Sequence, residues 1–523
     1  MTALTDIYKG ILLTLILSNC GGGGDTMTPV TSIPFNQWQK GVFLPANNFK
    51  NKCSIPRNGI NPATNSDFLD IQGGRIDENN FLRSYSNNTY LWYDEINDQD
   101  PEFFATQEYF NLLKAPHDRF HFSMDSDEWY QLSQSGIAAG YGVEWLIKNT
   151  DTTQIFVAFT EPNSPATSSA VDLKRGDEII KIDDININDL SNNQLNISLY
   201  PNINQTYTFV IKKRSSGDIK TIIMTSTNIT KTPIQKIKTI ATDTGNVGYF
   251  LFNDHIATAE KGLFDAITYL KSAEINDLIL DLRYNGGGYL AIANQLSYMI
   301  AGPTAAAGKI FEKMEFNDKH PATNPITGAA INGIPFYSTT IGLSSMSNNT
   351  PLPSLKLNNG SSGKNRVFII TGNDTCSASE SIMNTLIGLD VEVIQIGSKT
   401  CGKPYGFYPA DNCSKTYFTV QFKGVNNKGF GDYANGFTPR SSLNGDNNMP
   451  MGCLIDDDLE YELGDKNEKR IAAALYYRNS SNCPSSAVSR SNLKQKISSK
   501  TIKHEMRIMK PFWLNNKIMY REN

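Results

Sequence analysis

The sequence predicts an α/β fold divided into several domains, and three observations carry that prediction. A chain of 523 residues, 39% hydrophobic and 19% charged, has ordinary globular composition but is too long for one core. Over residues 229–479, apolar strand-like runs alternate with amphipathic helical ones, the pattern of a sheet joined by crossover helices. Ahead of it, a helix-patterned stretch over 80–133 gives way to short alternating strands over 136–228.

Residues 1–20 read as an export signal, with Lys9, the apolar run ILLTLIL and Leu-Ser-Asn ending at Cys20. Cys20 followed by GGGGD resembles a bacterial lipoprotein junction, in which the cysteine takes the lipid. The expected address is the bacterial cell envelope, lipid-anchored and facing the periplasm, with plain secretion as the alternative. Residues 21–79, rich in Gly, Asn, Pro, Ser and Thr, read as a tether and lead-in. From 80 to 133, NTYLWYDEI, EYFNLLKAP and SDEWYQL carry helical spacing, so a small helical domain is expected. YGVEWLIK, QIFVAFT and EIIKIDDI are strands of the 136–228 module. In the core, GNVGYFLF, DLILDLR, RVFIITG and VEVIQIG read as strands, with helices over 259–270 and AIANQLSYMIAG. Asp465 and Glu468 fit a capping box at the closing helix. The Asn-, Gly- and Ser-rich stretch 314–362 reads as a loop over the site, and the basic tail 480–523 as a solvated end. A formal net charge of −4 without basic-aromatic interleaving argues against nucleic acid.

The chemistry concentrates in Thr375-Cys376-Ser377-Ala378-Ser379-Glu380 and in Gly402-Lys403. RVFIITG leads into Ser377 and the helical run SIMNTLIGL follows it, which sets the serine at a strand-to-helix turn. Free N–H groups at a helix start favour developing negative charge. A lysine held in apolar surroundings loses its proton more easily and can act as a base toward a neighbouring hydroxyl. Read blandly, the same Ser-x-x-Glu spacing is a helix cap. Gly397 to Lys403 also fits most of a phosphate-binding loop, but Pro404 replaces the hydroxyl that would meet magnesium. Asp456-Asp457-Asp458 lacks accompanying metal-ligand spacing, so neither metal nor cofactor is expected. Setting Cys20 aside, six cysteines in an exported chain suggest disulfides, and a Cys401–Cys413 bridge would stiffen the loop bearing Lys403.

NDTCSASESI and TCGKPYG resemble the nucleophile and base segments of the C-terminal processing (tail-specific) serine proteases, and LILDLRYNGGG resembles their strand and Gly-rich turn. Tyr141-Gly142-Val143, Asn163-Ser164-Pro165-Ala166 and Gly176-Asp177-Glu178-Ile179 resemble a PDZ domain's carboxylate loop, helix and strand. The order of these segments matches too, over roughly residues 80 to 480. The resemblance implies a helical cap, a PDZ-like module and an α/β Ser/Lys protease core. It implies Ser377 as nucleophile, Lys403 as general base, the N–H groups of Ala378 and Gly287 as oxyanion donors, and Tyr141, Gly142 and Val143 as substrate-binding residues. It expects Asp281 and Arg283 to brace the turn. Two positions depart from the family pattern: Gly286 stands where proline is usual, and Phe407 where a glutamine orients the lysine. Asp411, Asn412, Gln421 or His255 could supply the missing orienter. The implied activity is a serine endopeptidase cutting protein or peptide substrates, possibly near their C-termini. The alternative is a catalytically weak scaffold binding protein tails; the sequence is silent on oligomeric state.

Overall fold

The computed structural model describes residues 38–485 apart from 150–151, 344–345, 358–359, 361–362, 443–445 and 447, together with 506–509 and the strand 517–519. The export signal and Cys20 lie outside the described residues. From residue 43 onward the chain forms one compact unit.

The lead-in is tied down rather than loose, because Cys53 is disulfide-bonded to Cys413. Helix α1 (Arg75–Thr89) starts before residue 80 and buries Phe81 and Leu82 against α2 (Thr106–Leu112). Of NTYLWYDEI, Asn88 and Thr89 end α1 and Tyr93–Glu95 make one further turn; between them Tyr90 leaves the helix to bury its ring in the main core. Phe122–Asp125 is a strand paired with Lys415–Phe418, so the lead domain is grafted onto the α/β core rather than being purely helical.

The 136–228 module is an antiparallel sheet built from β1 (Val143–Asn149), β2 (Thr153–Thr160), β3 (Glu178–Ile182), β4 (Thr206–Lys212) and β5 (Ile219–Thr225), with α3 (Asn192–Leu199) packed on it. Alternating residues such as Ile155, Val157, Phe209 and Ile211 turn inward to a separate core, as a one-sided sheet requires. At Gly142, φ is +77° and a Cβ would stand 2.2 Å from that of Ser164, so this loop needs glycine.

The core sheet runs β6 (Ile234–Thr242), β7 (Gly245–Phe252), β8 (Asp277–Asp281), β10 (Arg366–Thr371), β11 (Glu392–Gly397) and β12 (Met451–Leu454), once β9 (Gly287–Tyr289) is set apart. β6 and β7 are antiparallel and the remaining pairs parallel. Both faces are covered: α4 (Ala259–Ser272), α5 (Leu290–Ala306) and α6 (Ala378–Gly388) pack on Leu278, Leu280, Val367 and Ile369. On the other face α7 (Lys469–Ser480) packs on Ile279, Phe368 and Ile394. Two-sided burial explains why these strands read as unbroken apolar runs. The cap of α7 is Glu468, which accepts from the Ile471 N–H; Asp465 caps the preceding turn at Asn467 instead. The 314–362 stretch lies along the helical face, where the Glu260 carboxylate accepts the N–H groups of Ile341 and Leu343.

Arg283 pairs with Asp281, as expected, and also with Glu468 and Asp457. Asp457 is committed to Arg283, Arg175 and the Tyr284 hydroxyl, so this carboxylate belongs to an ion-pair hub. Burial would raise its carboxyl pKa, but the charges of Arg175, Arg470 and Arg283 together hold it well below the usual range.

The C-terminal segment departs from the solvated end expected of it. β13 (Arg507–Ile508) pairs antiparallel with β1, and β14 (Lys517–Met519) pairs parallel with β9.

Candidate active site

Three loops meet where the parallel strands end, the usual place for a site in an open α/β sheet. β8 runs into the glycine turn at 286–288, β10 into Ser377 at the head of α6, and β11 into the loop carrying Lys403. Ser377 sits at φ +67°, ψ −122°, a conformation that costs a non-glycine residue roughly 1–3 kcal/mol and is tolerated chiefly at functional turns. Its side chain is fully buried and its Oγ has no hydrogen-bond partner. A buried hydroxyl left unpaired is itself unfavourable. The Ala378 N–H, first in the helix, finds no acceptor among the described residues, so it is an open donor beside that oxygen.

Glu380 assembles the nucleophile and base segments. One carboxylate oxygen accepts both the Ser377 N–H (2.9 Å) and the Lys403 N–H (2.8 Å). The other accepts the Gly402 N–H (2.8 Å) and the Thr400 hydroxyl (2.5 Å). Burial raises this carboxyl's pKa, and the four donors oppose that shift. A second tether is the disulfide from Cys376 to Cys401, with Cα atoms 5.2 Å apart. A third is the Cys401 N–H bonded to the Thr375 carbonyl at 3.0 Å. Residues 25 apart in sequence are thereby held next to one another. The expected Cys401–Cys413 bridge does not form: Cys413 is taken by Cys53, and the last pair is Cys453–Cys483. Pairing to the nucleophile loop fixes the base segment more directly than a bridge within its own loop would.

The Lys403 amine is fully buried, 4.1 Å from the Phe407 ring centre and 5.0 Å from that of Phe120. Desolvation lowers its pKa well below the ordinary lysine value, opposed by the charges of Asp118 and Glu380. Phe407, the position departing from the family pattern, forms part of the apolar enclosure that disfavours the charged form of the amine. The candidate orienters are engaged elsewhere. Gln421 joins the Tyr408 N–H to the Tyr85 hydroxyl, Asp411 pairs with Arg57, and Asn412 accepts from Asn51. Ser377 Oγ and the Lys403 amine are not hydrogen-bonded in this structure, so the dyad is assembled by its backbone but not closed.

Asn285 organises the glycine turn. Its Oδ1 accepts from the Gly287 N–H (2.9 Å) and meets His255 Nδ1 (3.0 Å), while its carbonyl accepts the Cys376 N–H (3.1 Å) and the Ser379 hydroxyl (3.1 Å). The Gly287 amide is therefore already occupied here, unlike the open donor expected of it. Burial holds the His255 pKa down at about 4, so a neutral imidazole braces the turn. Gly288 must be glycine, because a Cβ would stand 2.5 Å from the His255 carbonyl oxygen. Glu380 and Asn285 were the residues sequence reasoning missed; Glu380 carried a signal, the capping-box spacing, but not its second task. Tyr141, Gly142 and Val143 lie at the start of β1. There Tyr141 gives its hydroxyl to the Ser198 carbonyl and its own carbonyl accepts the Ala166 N–H.

Residues 246–421 match the model of peptidase family S41. A carboxyl-terminal-processing protease of Picosynechococcus sp. is 22% identical over 233 residues, 45% of this chain and 55% of that protein. The chain thus spans about half the length of the curated relative it matches. Among solved structures, a putative S41 protease from Bacteroides fragilis superposes with a TM-score of 0.57 at 22% identity, covering 77% of this chain and 97% of the other. The photosystem II D1 C-terminal processing protease gives a TM-score of 0.42 at 15% identity, with coverages of 72% and 94%.

Proposed function

We propose, from the match of residues 246–421 to the model of peptidase family S41, that this chain is a serine endopeptidase working through Ser377 and Lys403. The observation that carries the reading is the Glu380 carboxylate, which binds the backbone of both residues while the lysine amine sits in an apolar enclosure. In the reaction, Ser377 Oγ attacks the scissile carbonyl carbon as its proton passes to neutral Lys403 Nζ. The open Ala378 N–H holds the oxyanion. Collapse breaks the C–N bond, and Lys403 returns the proton to the leaving amine. Water then attacks the acyl-serine carbonyl, giving a proton to Lys403; collapse breaks the C–Oγ bond, the acid product leaves, and the serine oxygen takes the proton back from Lys403.

Substrates on this reading are other proteins of the cell envelope, cut near their C-termini. The module of residues 136–228, read as PDZ-like, would receive them by strand addition. The envelope address and a lipid anchor at Cys20 rest on the N-terminal sequence alone. A second reading, a tail-binding scaffold with little activity, is favoured by one observation: the Ser377 hydroxyl and the Lys403 amine are not bonded. The two separate by assaying an unfolded protein substrate with the wild type, Ser377→Ala and Lys403→Ala. Cleavage only by the wild type supports the dyad. Equal cleavage by all three defeats it, and tail binding without cleavage in any supports the scaffold.

A further inference from the structure

Residues 506–509 and 517–519 lie along the path that an extended peptide would take from the module to the catalytic turn. Arg507 and Ile508 lie opposite Ile147 and Leu146 as an added antiparallel strand, and the Met509 N–H donates to the Trp145 carbonyl at 2.9 Å. β1 is the edge strand that this addition covers. Exposed edges invite such pairing. The Ile508 side chain is buried among Leu146, Phe159, Leu251, Tyr284 and Leu463, so its pocket is shared by the module and the core. The Ile508 N–H donates at 2.8 Å to Asp374, three residues ahead of Ser377 on the nucleophile loop. Farther on, Lys517–Met519 run parallel to Gly287–Tyr289, the strand of the glycine turn.

We propose that residues 506–509 and 517–519 are an intramolecular occupant of the peptide groove, held by strand addition to β1 and by an aliphatic pocket for Ile508, and that a substrate chain must displace them. The groove's ligand class is then an extended peptide with an aliphatic residue at the Ile508 position. Ile508 and Met509 supply affinity through burial and main-chain bonds. Tethering adds a high effective concentration, which keeps the groove filled until a competing peptide accumulates. The unclosed Ser377–Lys403 pair fits a resting state with this segment in place.

The docking stands on geometry alone, whereas its inhibitory consequence rests on the peptidase reading. The test uses the chain ended after His504, and a fluorescent peptide of residues 505–523 measured by anisotropy. Saturable binding is expected, weakened about tenfold or more when the peptide carries Ile508→Asp, as loss of a buried aliphatic anchor implies. In the full chain, Ile508→Asp and Met509→Pro should raise kcat/KM on an unfolded substrate several-fold. The wild-type peptide added in trans should inhibit the shortened enzyme competitively. Equal binding by wild-type and Ile508→Asp peptides, or none by either with unchanged kcat/KM in both full-length variants, overturns the proposal. If no form cleaves any substrate but the peptide binds as expected, docking stands and the peptidase reading fails.

Discussion

At the scale of single residues, the proposed site denies water to one amine and shares one carboxylate between two loops. Lys403 in the unfolded chain binds its proton up to pH about 10.4, whereas in the folded protein it releases it well below that. The unfolded state therefore binds more protons across that window, and stability rises with pH through it. Lys403→Met should raise the melting temperature at neutral pH, with the gain shrinking as pH approaches the ordinary lysine value; calorimetry across pH checks this. Glu380→Gln turns an amide N–H₂ toward backbone N–H donors, whichever way the side chain faces. A loss of roughly 2–4 kcal/mol in stability is expected, together with a fall in kcat of at least about a hundredfold. Denaturant melts beside single-turnover rates measure both. Ser377→Gly should melt higher than Ser377→Ala, because glycine adopts the positive φ without strain, while both are inactive.

The elements show why part of this was legible in the sequence. RVFIITG and SIMNTLIGL announce a strand and a helix by their apolar periods, so the turn holding Ser377 followed from local text. Asp281 and Arg283 sit two apart at a strand end and could be paired on paper. Lys403 came from resemblance, since nothing local reveals that Phe120, far away in the chain, would shield it. Cysteine pairing was not legible: Cys53 and Cys413 are separated by 360 residues, and spacing alone favours short loops. β13 escaped because a two-residue strand has no period to read and owes its existence to an unpaired neighbour. The bridge joining nucleophile and base segments makes its own prediction. Cys376→Ser with Cys401→Ser should cost about 2–4 kcal/mol of stability and lower kcat more than it raises KM. Steady-state kinetics with and without reductant on the wild type should show the same split.

For the whole molecule, the module and the core are coupled by buried charge as well as by the terminal segment. Arg175 of the module donates to Asp457 at 2.9 Å and to the Tyr284 hydroxyl at 2.7 Å, both on the core. Removing one partner of a buried ion-pair network is strongly destabilising, roughly 3–5 kcal/mol. Arg175→Ala should split thermal unfolding into two transitions in scanning calorimetry, the module melting first; a single unshifted transition would mean that the contact does not couple them. The central claim, that a buried neutral Lys403 activates Ser377, is tested most directly by a fluorophosphonate probe. Its rate of attachment is followed by mass spectrometry against pH, in the wild type and in Lys403→Ala. The account predicts attachment at Ser377, with a rate rising through a pKa well below 10.5 and lost in the variant. Attachment at another residue, or an equal rate without the lysine, would contradict it.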